Sequence, residues 1–308
     1  MAVWNEVIED FHALVNKPGV TPDEIKGFMH MHQIGASYPS RLLSKQLLDL
    51  VEKASLSAEK KIAFNAAILE GINEEYGKTH FASEDDMIDS LSQLFNTRDF
   101  DEVKGEGLCA EAVISFYVLA WYGFNESQIL EIKKCDLDCL ENTIHFNGHE
   151  IPVSPRAMEI LQAYACSEGY FRASAGGKGF FRYVDSPFLF RSYRSPRITS
   201  AAARSFRRRL GELVESRNHP HLFLYDQILL NGALCIMYQW EKNIDSVAIT
   251  PHRMADKAFA EDLFEELIYV ISDPYTLAAK HYPMFYSWME NYKSLEEAKK
   301  ARAKMQKK

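Results

Sequence analysis

The sequence predicts a mainly α-helical protein with a small β-hairpin or sheet, organised as two domains. Three observations carry that expectation. Helical periodicity runs through roughly the first hundred residues and returns over roughly the last hundred. Between them, the stretch ENTIHFNGHEIPVS places Asn147-Gly148 between two short apolar runs, the strongest short-range hairpin signal. The length of 308 residues, at about 150 residues per domain, suggests two domains.

The first helix, at 2–16, carries an apolar stripe from Val3, Trp4, Val7, Ile8, Phe11, Leu14 and Val15. Thr21-Pro22-Asp23-Glu24 starts the next: Thr caps, Pro takes the first helical position and Glu24 closes the capping box. Helices follow at 38–53, at 56–74 with Ser57 as cap, and at 84–95. Residues 1–95 therefore form an all-helical domain. The polar, Gly-containing stretch 96–107 is the expected linker, and 108–308 the second domain. That domain opens with a very apolar helix, 108–122, which stops at Gly123. A short helix restarts near Glu126 after a corner at Asn125. Strands at 143–146 and 150–153 flank the Asn-Gly turn, and Ser154-Pro155 caps a helix over 156–164. A looser stretch spans 165–198. Helices at 199–215, 222–240, 253–271, 274–290 and 294–306 complete the chain.

The composition is that of a globular protein with a real core: 47% apolar and 25% charged. No apolar run approaches the roughly 18 residues that span a bilayer. The N-terminus is acidic and amphipathic, unlike a secretory signal, so a cytoplasmic location without membrane contact is expected. The five cysteines are scattered, and Cys135 and Cys139 have no second ligand pair. His30 and His32 sit two apart and face different sides of a helix. No metal or other cofactor is expected. The net charge is −8, yet residues 172–217 hold eleven Lys/Arg against three Asp/Glu, which is +8 and leaves −16 elsewhere. Those cations are nearly all Arg and are interleaved with Tyr and Phe. That is the electrostatic footprint of a nucleic-acid partner.

The order of helix, Gly corner, short helix, Asp-x-Asp, hairpin and Ser-Pro helix resembles the catalytic domain of the tyrosine recombinases, the phage integrase family. The matching stretches are YGFNESQILEIKKCDLD, ENTIHFNGHEIPVSPRAMEIL and SPFLFRSYRSPRITSAAARSFRRRL, covering roughly residues 108–290. The resemblance implies a recombinase-like domain at 108–308, with 1–95 as the core-binding domain that closes a clamp on DNA. That family breaks and rejoins DNA with a Tyr nucleophile, two Arg, a hairpin Lys and His residues. Fixed cations are needed because negative charge concentrates on the phosphoryl oxygens in the transition state. Here Asn125 stands at the first Arg position, and the hairpin offers His149 in place of Lys. Residues 219–238, where the second Arg belongs, contain no Arg, and YVISDP at 269–274 contains no His. Tyr282 stands at a plausible nucleophile position. The resemblance therefore implies a scaffold with degenerate catalytic positions.

What remains is binding to double-stranded DNA. The expected contacts are Arg204, Arg207 and Arg208, on one face of the 199–215 helix, with Arg191, Arg194 and Arg197 in the loop FRSYRSPR. Lys133 and Lys134 follow the corner, and Arg41 and Lys45 lie on the third helix. The C-terminal helix SLEEAKKARAKMQKK suggests a homo-oligomer by the same resemblance, and a protein or peptide modulator of binding is a further expected partner. The leading expectation is a non-catalytic, sequence-specific DNA-binding repressor or regulator of a phage or mobile element. Two alternatives stand beside it. One is a divergent active recombinase using Tyr282, His149 and a rearranged basic set that includes Arg253. The other is an interaction protein that has lost DNA binding as well.

Overall fold

The computed structural model describes residues 2–35, 38–96, 110–174, 177–216, 223–243 and 280–290. These are mainly helical, with a small antiparallel sheet and a separate two-stranded ribbon. No helix among them is long and apolar enough to cross a membrane. The chain divides into two compact units, one of Met1–His80 with Pro283–Lys308 and one of Phe81–Tyr282. This division differs from the sequence boundary at 96–107. The helix Glu84–Asn96 belongs to the second unit, and the segment after Tyr282 returns to the first.

In the first unit, α1 (Ala2–Val15), α2 (Pro22–Met31), α3 (Tyr38–Lys53) and α4 (Ala58–Gly77) surround a core of Phe11, Ile25, Met29, Leu47, Val51, Phe64 and Ile68. The capping box that starts α2 forms as the sequence indicates. Glu24 Nα donates to Thr21 Oγ1 at 3.3 Å, and Thr21 Nα donates to Glu24 Oε2 at 2.9 Å. Such a cap contributes about 1 kcal/mol. The two histidines of α2 and its C-terminal cap diverge. His30 places Nδ1 2.6 Å from the buried Glu75 and Nε2 3.0 Å from Glu74. The His32 ring instead lies 4.3 Å from that of Phe28. On the other side of α4, Tyr76 stacks on His80 and meets Trp288 of the C-terminal helical segment.

The second unit is built around α6 (Ala110–Trp121), which is buried on nearly every side from Ala112 to Trp121. Its low amphipathicity has a simple cause: α5 (Glu84–Asn96), α8 (Pro155–Cys166) and α10 (Tyr225–Asn243) all cover it. Gly232 on α10 makes the closest approach possible, because a Cβ there would lie 1.9 Å from the Trp121 carbonyl oxygen. Polar bonds tie α5 into this unit. The Tyr122 hydroxyl donates to Glu84 Oε2 at 3.0 Å and accepts from Ser154 Nα at 2.7 Å. Arg156 on α8 pairs with Asp85 at 2.7 Å and with Asp89. Between α6 and α8 the chain forms α7 (Glu126–Ile129), a 3-10 turn (Lys134–Asp136) and the sheet β1-β2-β3 (Leu137–Asp138, Thr143–Phe146, His149–Pro152). Asn147 (φ 51°) and Gly148 (φ 84°) make the two-residue turn that the Asn-Gly pair predicts. After α8 comes a second hairpin, β4 (Gly169–Ser174) with β5 (Gly177–Arg182), in the stretch 165–198 where no strands are expected from the sequence. The helix α9 (Ser200–Ser216) and then α10 follow.

Candidate nucleic-acid interface

The corner at Asn125 has a structural explanation. Gly123, at φ +92°, lets α6 end in a left-handed residue, and Phe124 Nα donates back to the Leu119 carbonyl at 3.2 Å. Asn125 then caps α7: its Oδ1 accepts from Gln128 Nα at 3.0 Å, while Gln128 Oε1 accepts from Asn125 Nα at 2.8 Å. The amide is committed to a capping box, a role that Arg cannot fill.

The groups around that corner close it further. The Tyr225 hydroxyl, at the start of α10, donates to the Phe124 carbonyl at 2.6 Å. Burial raises its pKa. Arg207 of α9 forms an ion pair with Glu126 at 2.6 Å and stacks 5.3 Å from the Tyr225 ring centre. Arg207 therefore turns inward toward the corner, whereas Arg204 and Arg208 on the same helix are exposed. The expected three-arginine stripe is thus two exposed cations beside one that turns inward to Glu126. Glu126 and Tyr225 were missed at the level of sequence, because neither carries a motif and their meeting is a tertiary event.

The loop between β5 and α9 is drawn to the same region. Leu189 Nα donates to the Ile132 carbonyl and Lys134 Nα to the Pro187 carbonyl, so 187–189 runs alongside 132–134. Lys133 is exposed and Lys134 half-buried. Burial and the neighbouring Arg191 guanidinium hold the Lys134 ammonium below its usual range. Arg197 reaches Glu131 at 3.4 Å and lies over the Phe188 ring, while Arg194 is exposed over the Tyr193 ring.

Arg191 corrects the sequence expectation. It is only 4% exposed, and its guanidinium donates to the carbonyls of Leu189, Tyr164, Ala165 and Ser167 between the Tyr164 and Tyr183 rings. It is an internal strut for the C-terminal end of α8, and its charge is spent on backbone oxygens rather than presented to a ligand.

The remaining expected site residues fall as follows. His149 is exposed beside the β2–β3 turn. Tyr282 is fully buried, with its hydroxyl donating to the Met237 carbonyl at 3.4 Å. A phenol in that setting is a core residue and does not present a nucleophile, which corrects its candidacy. Lys45 is exposed on α3. Arg253, the side chain of Arg41 and the C-terminal helix expected at 294–306 lie outside the described residues. Cys135, Cys139 and Cys166 are exposed free thiols. Among the described residues no three His, Cys, Asp or Glu side chains gather as a metal site.

The second unit brings together a group of exposed cations. Arg194, Arg197, Arg204, Arg208 and Lys133 come from three segments that meet around α7. Comparison with protein-family models and with curated proteins gives no match to this chain.

Proposed function

We propose that this protein binds double-stranded DNA without cutting it, on a scaffold resembling that of the tyrosine recombinases, and acts as a regulator of a phage or mobile element. The observation that carries the reading is the pairing of a basic surface with a corner already closed. Arg194, Arg204, Arg208 and Lys133 face solvent, while Asn125 caps α7 and Arg207 is held by Glu126. Exposed Arg and Lys drawn from several elements suit the phosphate backbone, which supplies most of the affinity in such interfaces. A strand-cleaving reaction needs cations free to meet a phosphoryl transition state and a nucleophile within reach. The buried Tyr282 and the Glu126 carboxylate at the corner both argue for binding alone.

The experiment is incubation of the full chain with nicked suicide duplexes and with intact duplex fragments. The proposal expects mobility shifts on intact duplex and no covalent adduct on suicide substrates. A protein–DNA adduct abolished by Tyr282→Phe overturns the non-catalytic part, and absence of any shift overturns DNA binding.

A further inference from the structure

The first unit holds a groove between α1 and α2, apart from the residues proposed for duplex contact. It encloses about 580 Å³, with Leu14, Phe28 and Met31 on its apolar floor and Asp10, Lys17 and Glu24 at its rim. Helical spacing builds both walls. Asp10, Ala13 and Leu14 stand at i, i+3 and i+4 on α1, and Glu24, Gly27, Phe28 and Met31 at i, i+3, i+4 and i+7 on α2. Lys17, just past α1, pairs with Glu24 on α2 at 3.4 Å and links the two walls at their connecting turn.

Two residues of this groove serve no packing within the chain. Met31 is 70% exposed, an adaptable apolar side chain of a kind enriched at binding surfaces. Gly27 lies inside α2, where glycine destabilises a helix relative to alanine. Its backbone is helical, so no left-handed conformation requires it. A Cβ added there meets nothing among the described residues within 4 Å. Gly71 on α4 shows the contrast: its Cβ would lie 2.7 Å from the Met29 Cβ, so packing explains that glycine. At Gly27 the missing side chain leaves depth in the groove, which suits close approach by a second molecule.

We propose that this groove receives an amphipathic helix of a protein partner, with an apolar side chain seated over Gly27 and basic residues against the rim. The proposal does not depend on the duplex-binding reading. Each wall is about two helical turns long, the span that anchors at i, i+3, i+4 and i+7 of a bound helix cover. Charge decides the occupant. Glu6, one turn before Asp10 on the same stripe, joins Asp10 and Glu24 as three exposed carboxylates against the Lys17 ammonium. That rim repels a polyanion, and a second copy of the same groove would bring like charges together.

The test uses the full chain and a fluorescein-labelled helical peptide with leucine at i, i+3, i+4 and i+7 and lysine and alanine elsewhere, followed by anisotropy. A scrambled peptide of the same composition and a peptide with glutamate for lysine are the references, and both should bind at least about tenfold more weakly. Gly27→Gln fills the groove and should weaken the lysine peptide about tenfold or more. Its melting temperature should equal or exceed the wild-type value, because glutamine favours a helix over glycine. Asp10→Lys should weaken binding in the same direction at low salt. No binding of the lysine peptide to the wild-type chain overturns the proposal, as does equal binding of the scrambled or glutamate peptide. Full affinity in Gly27→Gln also overturns it, and a lowered melting temperature there makes the glycine structural instead. A wild-type dimer that Gly27→Gln dissociates overturns the partner helix in favour of a second copy.

Discussion

Arg207 Nη2 lies 2.6 Å from Glu126 Oε2, so the central arginine of α9 is bound to the first residue of α7. The pair is partly shielded, with side-chain exposures of 32% and 20%, and the guanidinium also covers the Tyr225 ring. Arg207→Ala should therefore lower stability by about 1–2 kcal/mol, through the lost ion pair, ring contact and alkyl packing. Its effect on the salt dependence of DNA binding should be smaller than that of Arg204→Ala. Urea denaturation and duplex titrations on the two variants check this. A normal stability with a full loss of one phosphate contact would show Arg207 facing DNA instead.

Asn125 is predicted to matter as a cap. Asn125→Ala should cost about 1 kcal/mol and Asn125→Asp little, because the aspartate still accepts from Gln128 Nα. Asn125→Arg should be destabilising and should produce no strand cleavage. Denaturation midpoints and a suicide-substrate assay are the readouts, and cleavage by the arginine variant would place a working site at this corner.

Arg191→Met should be far more costly than any exposed arginine substitution, at least about 3 kcal/mol, since several carbonyls lose a charged donor together. Thermal unfolding of Arg191→Met beside Arg194→Ala separates the two roles. Equal stability of the two variants would contradict the internal strut.

Glu84 gives a pH dependence with a definite sign. Burial raises its carboxyl pKa above the ordinary 4.5, more than the Tyr122 hydrogen bond lowers it. The folded state thus holds the proton more tightly than the unfolded state. Its contribution to stability is fully present below the ordinary value and is lost as pH rises through the raised one. Glu84→Gln cannot ionise and should flatten that decline, as measured by denaturation at a series of pH values from about 4.5 upward. An identical pH slope in the variant would remove Glu84 from the account.

The division into units predicts fragment behaviour. A fragment beginning at Gly107 lacks α5, and with it the residues Glu84, Asp85 and Asp89 that bond Tyr122 and Arg156. It should be largely unfolded by circular dichroism, whereas residues 81–282 should fold. A cooperatively folded fragment from Gly107 would contradict the placement of α5.

These outcomes follow how legible the chain was. Local chemistry was readable: Thr21-Pro22, Ser154-Pro155 and Asn147-Gly148 each specify a cap or turn through groups within four residues, and the elements begin where those signals stand. α3 spans Tyr38–Lys53, as its apolar spacing predicts. The unit boundary was not readable, because periodicity shows that α5 has an apolar face but not that α6 will cover it. Arg191 was misjudged for a related reason. Net charge counts a guanidinium without its direction, and its acceptors at Tyr164, Ala165 and Ser167 lie more than twenty residues away. The β4–β5 ribbon did leave a signal, the Gly176-Gly177 pair between aromatic runs, which the surrounding arginines obscured.

The most direct test of the central claim is the salt dependence of duplex binding by the full chain and by Arg194→Ala/Arg204→Ala/Arg208→Ala. All three side chains are exposed, so the variant should keep the wild-type melting temperature. Each phosphate contact contributes about 0.9 to the slope of log K against log salt. The account predicts a steep wild-type slope, and a variant slope shallower by about two to three with weaker binding to every duplex. A stable variant with the wild-type slope would contradict the placement of the DNA surface on unit two.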